Sequence, residues 1–275
     1  MSRLSSFLFA ALALSAWNPS GQAAPRPFRV VLDPGHGGAD LGATAEHDGK
    51  VLAEKDLTLA LALEAKKQLQ LRGIQVSLTR SRDAEVPLSE RTALANRQKA
   101  DLFISIHMNS TPSGQRNPSP RGVETFILNN TSSESSLRLA YLENSSNRPN
   151  LPEVKTQADS ADVALILKDL TLDANLSESK RLACAIQDTL VRVTGAKGPR
   201  DRGVKQALFH VLLGADMPSA LLEAGFMSSS EDRVQVLQPL TRMKQAIALA
   251  QAVDQFRKDF GTRQARQSLS QCRVH

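Results

Sequence analysis

The stretch Phe28-Arg-Val-Val-Leu-Asp-Pro-Gly-His36 decides the fold class of this chain. Its apolar run over 28–32 predicts a buried β-strand, and Asp33-Pro-Gly is a turn signal that ends the strand. Residues 54–71 follow with apolar side chains at helical spacing, which predicts an amphipathic helix. A strand followed by such a helix is the repeating unit of an α/β fold.

The same alternation continues through most of the chain. Further strands are predicted over 74–78, 102–106, 122–128, 207–213 and 219–223, and further helices over 88–100, 177–193 and 240–260. Strands that alternate with helices favour a parallel sheet with right-handed crossovers. We therefore expect a single α/β domain with a twisted, mostly parallel sheet and helices on both faces.

Residues 130–175 interrupt this pattern. The segment is rich in Ser and Asn, contains Pro149 and Pro152, and has only two short helical pieces, over 133–144 and 159–170. A loop region of this length inside a compact domain is commonly functional or mobile. We predict a helical insertion between the regular elements.

The composition is that of an ordinary soluble domain. The 275 residues are 41% hydrophobic and 23% charged, which excludes a wholly disordered chain and a disulfide-dense miniature. The net charge of +6 suits binding to an anionic polymer such as cell wall or nucleic acid, or simply solubility. Only 4% of the residues are aromatic, with one Trp and one Tyr, so few side chains could stack on bases. Nucleic-acid binding is therefore not expected.

The first 23 residues have the composition of a secretory signal peptide. Arg3 precedes an apolar stretch over 7–16 that is too short to cross a bilayer. The small residues of Gly21-Gln-Ala offer a cleavage site. A buried N-terminal helix is the alternative, but Asn18-Pro-Ser would break that helix.

Cleavage of this signal peptide sets the rest of the expected organisation. Cleavage after Ala23 leaves a domain over 24–262 and a polar, basic tail over 263–275 that we expect to be flexible. No later segment has the length of uninterrupted apolar sequence that a membrane span requires, so an integral membrane protein is not expected. Export permits a disulfide between Cys184 and Cys272. The pattern instead favours one buried thiol on a helix face and one thiol in the tail.

Chemically reactive side chains fall where the predicted strands end. His36 follows the first strand and His107 the third. Glu223 ends the last strand, and Glu54 begins the helix after the first. Because the carboxyl ends of parallel strands meet at one edge of a sheet, we expect these side chains to lie together. Two histidines and a carboxylate form a ligand set for Zn²⁺, and a second carboxylate nearby could move a proton. The alternative is a purely structural role, with His36 in a turn, His107 at a strand end and Glu54 as a charge at a helix start.

Seven motifs occur in order along the chain: Asp33-Pro-Gly-His-Gly-Gly, Glu54-Lys-Asp, Leu78-Thr-Arg, Arg91 with Ala95-Asn, Ala100-Asp-Leu-Phe-Ile-Ser-Ile-His-Met-Asn, Gly122-Val-Glu and Pro218-Ser-Ala-Leu-Leu-Glu-Ala-Gly-Phe. Together they resemble the zinc-dependent N-acetylmuramoyl-L-alanine amidase family, type 3. The resemblance runs from about residue 29 to residue 256 and so covers nearly all of the expected mature chain.

This resemblance implies an enzyme that acts on peptidoglycan. The implied reaction cleaves the amide between the lactyl group of N-acetylmuramic acid and the L-alanine that starts the stem peptide. The resemblance implies one Zn²⁺ per chain, held by His36, Glu54 and His107. It implies that Glu223 is the catalytic carboxylate, acting as general base and then general acid. Two alternatives stay open, a zinc peptidase that cuts within the stem peptide and a non-enzymatic peptidoglycan-binding or activator module.

Some members of this family act in daughter-cell separation and carry a helical segment where this chain has 130–175. In them a glutamate of that segment fills the open zinc position until a LytM-type activator protein removes it. Tyr141-Leu-Glu-Asn resembles the glutamate-bearing stretch, and Asp162-Val-Ala-Leu-Ile-Leu resembles the apolar helix that follows. The resemblance implies an autoinhibited periplasmic amidase of septal cell-wall splitting, with Glu143 as inhibitory ligand. The alternative is that Glu143 is a solvated helix charge.

Four other polar residues have expected positions near the site or away from it. Asn109 and Arg80 are expected to shape the site, although Arg80, which follows a strand, could equally be an exposed charge. His47 lies in a Gly/Asp loop and His210 within a strand pattern, and both are expected to be structural.

Overall fold

The computed structural model describes residues 26–111, 120–145, 170–194 and 200–260 together with Cys272 and Val274, with the backbone alone over 170–174. The strands in this part of the chain are β1 (Arg29–Pro34), β2 (Thr44–His47), β3 (Lys50–Ala53), β4 (Gln75–Leu78), β5 (Leu102–Asn109), β6 (Val123–Leu128), β7 (Asp201–Ala207) and β8 (Ser219–Phe226). The helices are α1 (Glu54–Gln70), α2 (Leu88–Arg97), α3 (Glu134–Ser145), α4 (Leu170–Thr194), α5 (Ser230–Leu237) and α6 (Pro239–Asp259).

Six of these strands form one sheet in the order β4-β1-β5-β8-β6-β7. Neighbouring strands are parallel except β6 and β8, which run antiparallel. The strands β2 and β3 form a separate two-stranded hairpin. The α/β domain with a mostly parallel sheet, predicted from the alternating pattern, is therefore confirmed.

Helices cover both faces of the sheet, as expected. In β1, Val30 and Leu32 belong to one hydrophobic core and Val31 belongs to the other. The larger core includes side chains of α1, α4 and α6, and the smaller core includes side chains of α2 and α3. Because β1 is buried on both faces, its side chains form a nearly continuous apolar run, as in the central strands of parallel sheets.

Most predicted helices lie close to where the sequence places them, and α3 confirms the first helical piece of the insertion. The helix predicted over 177–193 begins earlier, at Leu170. Three predictions fall outside the described residues: the signal peptide, nearly all of the helical piece over 159–170, and most of the tail over 263–275. Of the described helices, none is long and apolar enough to cross a membrane.

The strand predicted over 207–213 is wrong. The strand β7 ends at Ala207, and His210–Leu212 forms a 3₁₀ turn. Phe209 and Val211 lie in the smaller core, so an apolar run typical of a buried strand is buried here as a turn. The actual strand β7 was missed because its sequence is largely polar. Such a sequence is possible because β7 lies at the end of the strand order, where a strand can carry polar and charged side chains.

The hairpin of β2 and β3 was also missed, although its turn carries a recognisable signal. Asp48 and Gly49 join the two strands, and their φ angles are 50° and 70°. An Asp-Gly pair with positive φ at both positions is the preferred two-residue hairpin turn. Helix α5 was missed as well, although Ser229 caps it by accepting a hydrogen bond from the backbone N–H of Asp232.

The expectation of two unpaired thiols is wrong, because Cys184 and Cys272 form a disulfide. The two Cα atoms lie 6.0 Å apart, and 88 positions separate the residues in sequence. Val274 makes an isolated parallel bridge with Val204 of β7, so this part of the tail lies against the last strand of the sheet. Helical spacing could indicate that Cys184 is partly buried but could not indicate which distant residue meets it.

A buried ion pair ends the first strand. Asp33 is fully buried and accepts hydrogen bonds from Thr79 Oγ1 at 2.6 Å, Ser105 Oγ at 2.7 Å and Arg91 at 2.7 Å. Burial alone would raise the pKa of Asp33, but the charge of Arg91 and these hydrogen bonds lower it below the usual 3.8. The carboxylate therefore stays ionised in the interior, with its charge balanced by a residue of α2.

We expect Arg91→Met to lower the free energy of unfolding by about 3–5 kcal/mol, because the charge of Asp33 would stay buried without its partner. Arg97→Met is the control on the same helix, since it removes an exposed pair with Glu90 and should cost less than about 1 kcal/mol. Urea unfolding followed by circular dichroism measures both changes. Equal losses in the two variants would contradict this role of Arg91.

Candidate metal centre and active site

The loop that follows β1 carries the first histidine in an unusual backbone conformation. His36 has a φ of 62°, in the left-handed region that residues other than glycine rarely adopt. Arg91 donates to the carbonyls of Pro34 and His36, at 2.9 and 3.1 Å. Arg80 donates to the carbonyls of Pro34 and Gly35, at 3.0 and 2.8 Å. Two arginines from distant elements therefore hold this turn, and the alternative that Arg80 is an exposed charge is wrong because Arg80 is buried.

Two histidines and two glutamates lie together at the carboxyl edge of the sheet, and we call them the His/Glu cluster (His36, Glu54, His107 and Glu143). Glu54 Oε1 lies 3.0 Å from His36 Nε2 and 3.2 Å from His107 Nδ1. Glu143 Oε2 lies 2.9 Å from His107 Nδ1 and 3.3 Å from His36 Nε2. All four residues are buried, and one potential ligand atom from each lies within 4.8 Å of the others. The alternative that Glu143 is a solvated helix charge is wrong, since its side chain faces this cluster.

Neighbouring groups orient the cluster side chains. The Nδ1 atom of His36 lies 3.0 Å from Asp40 Oδ2, so that Nε2 faces the cluster. Backbone N–H groups of Met108 and Ala43 donate to Oε1 and Oε2 of Glu54, at 2.8 and 2.9 Å. Such partners fix ring and carboxylate orientations around metals in general. Asp40 was not singled out from the sequence, although its place four residues after His36 in a Gly-rich loop is a usable signal.

Two glycines allow the side chains to pack this closely. A Cβ on Gly35 would lie 2.4 Å from the ring of His107, and one on Gly42 would lie 2.6 Å from the ring of His36. The same Cβ on Gly42 would lie 2.7 Å from Glu54 Oε2. Real Cβ atoms essentially never approach other atoms this closely, so the close packing of the cluster requires glycine at positions 35 and 42.

Charge interactions shift the pKa values of all four members. Burial alone would lower the pKa of both histidines, but the charge of Glu54, the hydrogen bond with Asp40 and the nearby carboxylate of Glu143 raise the pKa of His36 well above 6.5. Glu143 and Glu54 raise the pKa of His107 to about 10. The histidines in turn lower the pKa values of Glu54 and Glu143. The two carboxylates therefore create a negative potential that favours a proton or a metal cation between the imidazoles.

The residues present fit a metal ion. The Nε2 atom of His36 is buried and has no hydrogen bond of acceptable geometry among the described residues, although carboxylate oxygens lie near it. A nitrogen that faces two carboxylates and one further imidazole is placed as a ligand atom would be. Two imidazoles and carboxylate oxygens are the ligand types that Zn²⁺ prefers, and Zn²⁺ commonly has four ligands.

Glu223 lies next to this cluster but is not part of it. It stands opposite His107 in the pairing of β5 with β8 and opposite Glu124 in the pairing of β6 with β8. It is fully buried, and neither carboxylate oxygen has a hydrogen-bond partner among the described residues. Burial, followed by the charge of Glu143, raises the pKa of Glu223 well above 4.5. A buried carboxyl group that readily holds a proton beside a ligand cluster is a candidate general acid and base.

A polar group lies on the other side of Glu223, and two of its members, Arg202 and Lys205, were not indicated by the sequence. The carboxylate of Glu124 contacts Arg202 Nε, Lys205 Nζ at 2.9 Å and Asn109 Nδ2 at 3.3 Å. Asn109 therefore lies near the site, as expected. The basic residues were missed because the polar strand β7 was missed.

Two further histidines among the described residues, His47 and His210, lie away from the cluster. His47 ends β2, where its Nε2 atom is 3.5 Å from Asp48. The backbone N–H of His210 donates to Asn144 Oδ1 in the 3₁₀ turn. Neither residue belongs to the His/Glu cluster.

Taken together, these features define a class of protein: an α/β domain with a candidate metal site where its parallel strands end and a buried carboxylate beside that site. Residues 30–255 match the sequence model of the Amidase_3 family, described as N-acetylmuramoyl-L-alanine amidase. This chain belongs to that family.

Curated relatives and a solved structure agree with this family. The N-acetylmuramoyl-L-alanine amidase AmiC of Neisseria meningitidis serogroup B is 33% identical over 236 residues, which cover 86% of this chain and 54% of AmiC. AmiA of Escherichia coli K12 is 34% identical over 225 residues, or 82% of this chain and 74% of AmiA. The crystal structure of an N-acetylmuramoyl-L-alanine amidase from Clostridium difficile 630 has a TM-score of 0.63 at 26% identity, covering 86% of this chain and 99% of that one. This chain thus spans about half the length of the meningococcal relative.

We expect Gly35→Ala to weaken Zn²⁺ binding at least ~10-fold, because the added methyl group would displace His107. Gly49→Ala is the control: a Cβ there would meet nothing within 4 Å, in the turn between β2 and β3, and its φ of 70° makes the control the more strained of the two substitutions in the backbone. Zinc titration with a competing chromophoric chelator measures both affinities. Equal zinc affinity in wild type and Gly35→Ala would contradict the placement of His107 in the metal site.

Proposed function

We propose that this protein is a zinc-dependent N-acetylmuramoyl-L-alanine amidase. It hydrolyses the amide between the lactyl group of N-acetylmuramic acid and the first L-alanine of the peptidoglycan stem peptide. The observation that carries this proposal is the buried carboxylate of Glu223 beside the His/Glu cluster, in a chain that belongs to this amidase family.

The metal ligands in this proposal are His36, Glu54 and His107, which would hold one Zn²⁺ per chain. Asp40 keeps His36 in the tautomer whose Nε2 faces the site, and the backbone N–H groups around Glu54 hold its carboxylate in place. When bound, zinc acts as a Lewis acid that polarises a carbonyl group and makes water more acidic.

Glu223 moves the proton in this reaction. Its carboxylate takes a proton from the attacking water, and the resulting carboxylic acid gives that proton to the amine that leaves with L-alanine. The amide C–N bond breaks and a C–O bond forms, so the products are a lactyl carboxylate and a stem peptide with a free amino terminus. The raised pKa of Glu223 suits this double role, because the group must hold the proton between the two transfers.

We also propose that the chain is autoinhibited by α3. Glu143, on this helix, contacts both histidines of the His/Glu cluster. It would therefore take the ligand position that His36, Glu54 and His107 leave open for water. Its neighbour Asn144 donates to the carbonyl of Leu208 at 2.8 Å and accepts from the backbone N–H of His210 at 2.7 Å. These hydrogen bonds attach the end of α3 to the turn after β7 and so hold Glu143 in the site.

An autoinhibited amidase requires a signal that withdraws α3. We propose a LytM-type activator protein, which need only bind the form with α3 withdrawn more tightly than the inhibited form. We further propose export through the signal peptide over 1–23, action in the periplasm and a role in septal cell-wall splitting at daughter-cell separation. The family resemblance of residues 130–175 and the position of Glu143 support this assignment.

The reaction predicts a specific product from purified peptidoglycan. We expect stem peptides that begin with L-alanine, no release in the presence of a zinc chelator, and a rate at least ~100-fold lower in Glu223→Gln. Mass spectrometry of the released peptides measures this, and Glu90→Gln, an exposed glutamate of α2, is the control. Fragments with another new amino terminus would instead identify a stem-peptide peptidase. No release by zinc-loaded wild type or zinc-loaded Glu143→Ala would favour a binding module.

The autoinhibition proposal predicts that Glu143→Ala raises basal activity by ~10-fold or more, because it removes the group that occupies the site. Asn144→Ala should raise it several-fold, since it loosens α3 by the loss of two hydrogen bonds while keeping Glu143. Leu137→Ala, an exposed substitution on the same helix, should leave it unchanged. Dye release from labelled peptidoglycan measures these rates. A basal rate no higher in Glu143→Ala than in wild type would overturn autoinhibition.

A further inference from the structure

A polar pocket of about 250 Å³ lies between α3 and the sheet, one strand beyond Glu223. Residues that line it include Asn109, Glu124, Arg138, Arg202, Lys205 and Phe226. Helix α3 thus covers this pocket as well as the His/Glu cluster, so that its withdrawal would open both together. None of the steps proposed for the reaction uses the two basic residues of β7.

Three basic residues, Arg138, Arg202 and Lys205, line this pocket with two carboxylates, Glu124 and the exposed Glu134, so the cations outnumber the carboxylates by one. Arg202 and Lys205 both pair with Glu124, which leaves an excess of one positive charge in this group. The pair with Glu124 uses Nε of Arg202, and among the described residues the two terminal nitrogens have no hydrogen-bond partner. A guanidinium group can donate through its terminal nitrogens to a second carboxylate in a bidentate arrangement.

Aromatic rings hold both cations in position. The guanidinium group of Arg202 lies over the ring of Phe226, 5.0 Å from its centre. The ammonium group of Lys205 lies 5.8 Å from the centre of the Phe126 ring. Cation–π contacts of this kind reduce the motion of long basic side chains before a ligand binds. The pocket therefore presents a preorganised positive charge.

The pocket lies within reach of a short peptide that starts at the reaction centre. Glu124 lies one strand from Glu223, and neighbouring strands are about 4.8 Å apart. Two residues of extended peptide span about 7 Å. A peptide whose first amide lies beside Glu223 would therefore bring its second residue to the cations that surround Glu124.

We propose that Arg202 and Lys205 form a subsite for the carboxylate of the second residue of the stem peptide. This inference rests on the proposed amidase function and names the part of the substrate that sets specificity. When the second residue is a glutamate linked through its side chain, its α-carboxylate faces the two cations. A carboxamide at the same place is uncharged, so it forms no ion pair with Arg202 or Lys205 and does not neutralise the positive charge of the pocket.

Binding is the direct test, and full-length Glu143→Ala/Glu223→Gln loaded with zinc is the parent, because it keeps the substrate uncleaved and the site open. Isothermal titration calorimetry compares two muramyl peptides whose second residue carries an α-carboxylate or an α-carboxamide. We expect the acid to bind at least ~10-fold more tightly than the amide. Arg202→Gln should remove this preference by weakening the acid alone, and Lys244→Gln, an exposed lysine of α6, should not.

Glu124→Gln separates a substrate role of the cations from a structural one. It removes the carboxylate that shares the two cations, so the α-carboxylate peptide should bind this variant more tightly than it binds the parent. If the ion pairs with Glu124 had a purely structural role, the variant would instead bind both peptides more weakly. Equal binding of acid and amide by the parent, or equal weakening of both by Arg202→Gln, would overturn the subsite. If the amide peptide is nevertheless cleaved by Glu143→Ala with release of an L-alanine amino terminus, the proposed function stands without the subsite. Failure of Glu143→Ala to cleave either peptide would overturn both.

Discussion

The ion pair between Asp33 and Arg91 is the interaction on which the site depends. It ends β1 in the interior of the protein, and the same guanidinium group holds the carbonyls of Pro34 and His36. Because His36 adopts a left-handed backbone conformation, surrounding structure must compensate for its strain. The strand, the turn and the first imidazole of the site are therefore positioned by one buried cation from a helix that lies far along the chain.

Four glutamates are buried near the carboxyl edge of the sheet, and their partners separate their roles. Glu54 and Glu143 lie between two imidazoles, and Glu124 lies between two cations and an amide. Among the described residues, Glu223 has no hydrogen-bond partner, and the charge of His107 does not offset the effects that raise its pKa. Burial and the negative charges around it therefore raise its pKa, while the pKa values of Glu54 and Glu143 are lowered. The carboxyl group that must exchange protons in the proposed reaction is therefore the one whose pKa the surrounding structure raises.

Sequence reasoning succeeded where a residue's role follows from its place in a regular element. His36, His107 and Glu223 were expected at one edge because each follows or ends a strand of an alternating pattern, and the structure brings them together. Sequence reasoning failed where contacts with residues distant in the sequence decide whether a segment forms a strand or a turn. The apolar run after Ala207 is buried as a turn, and the polar strand before it lies at the end of the sheet order, so both lacked the expected alternation.

The sequence by itself determined the α/β class and predicted three of the four members of the His/Glu cluster as one of two alternatives, because apolar periodicity and the ends of strands and helices are local properties of the chain. Glu143 was reached only through family resemblance, since nothing in its local pattern distinguishes a buried ligand from a solvated charge. The tertiary structure alone decided the disulfide between Cys184 and Cys272, the burial of Arg80 and the pairing of Arg202 with Glu124. Each of these joins residues far apart in the sequence, and the distance between such residues is fixed only when the strands pair and the helices pack.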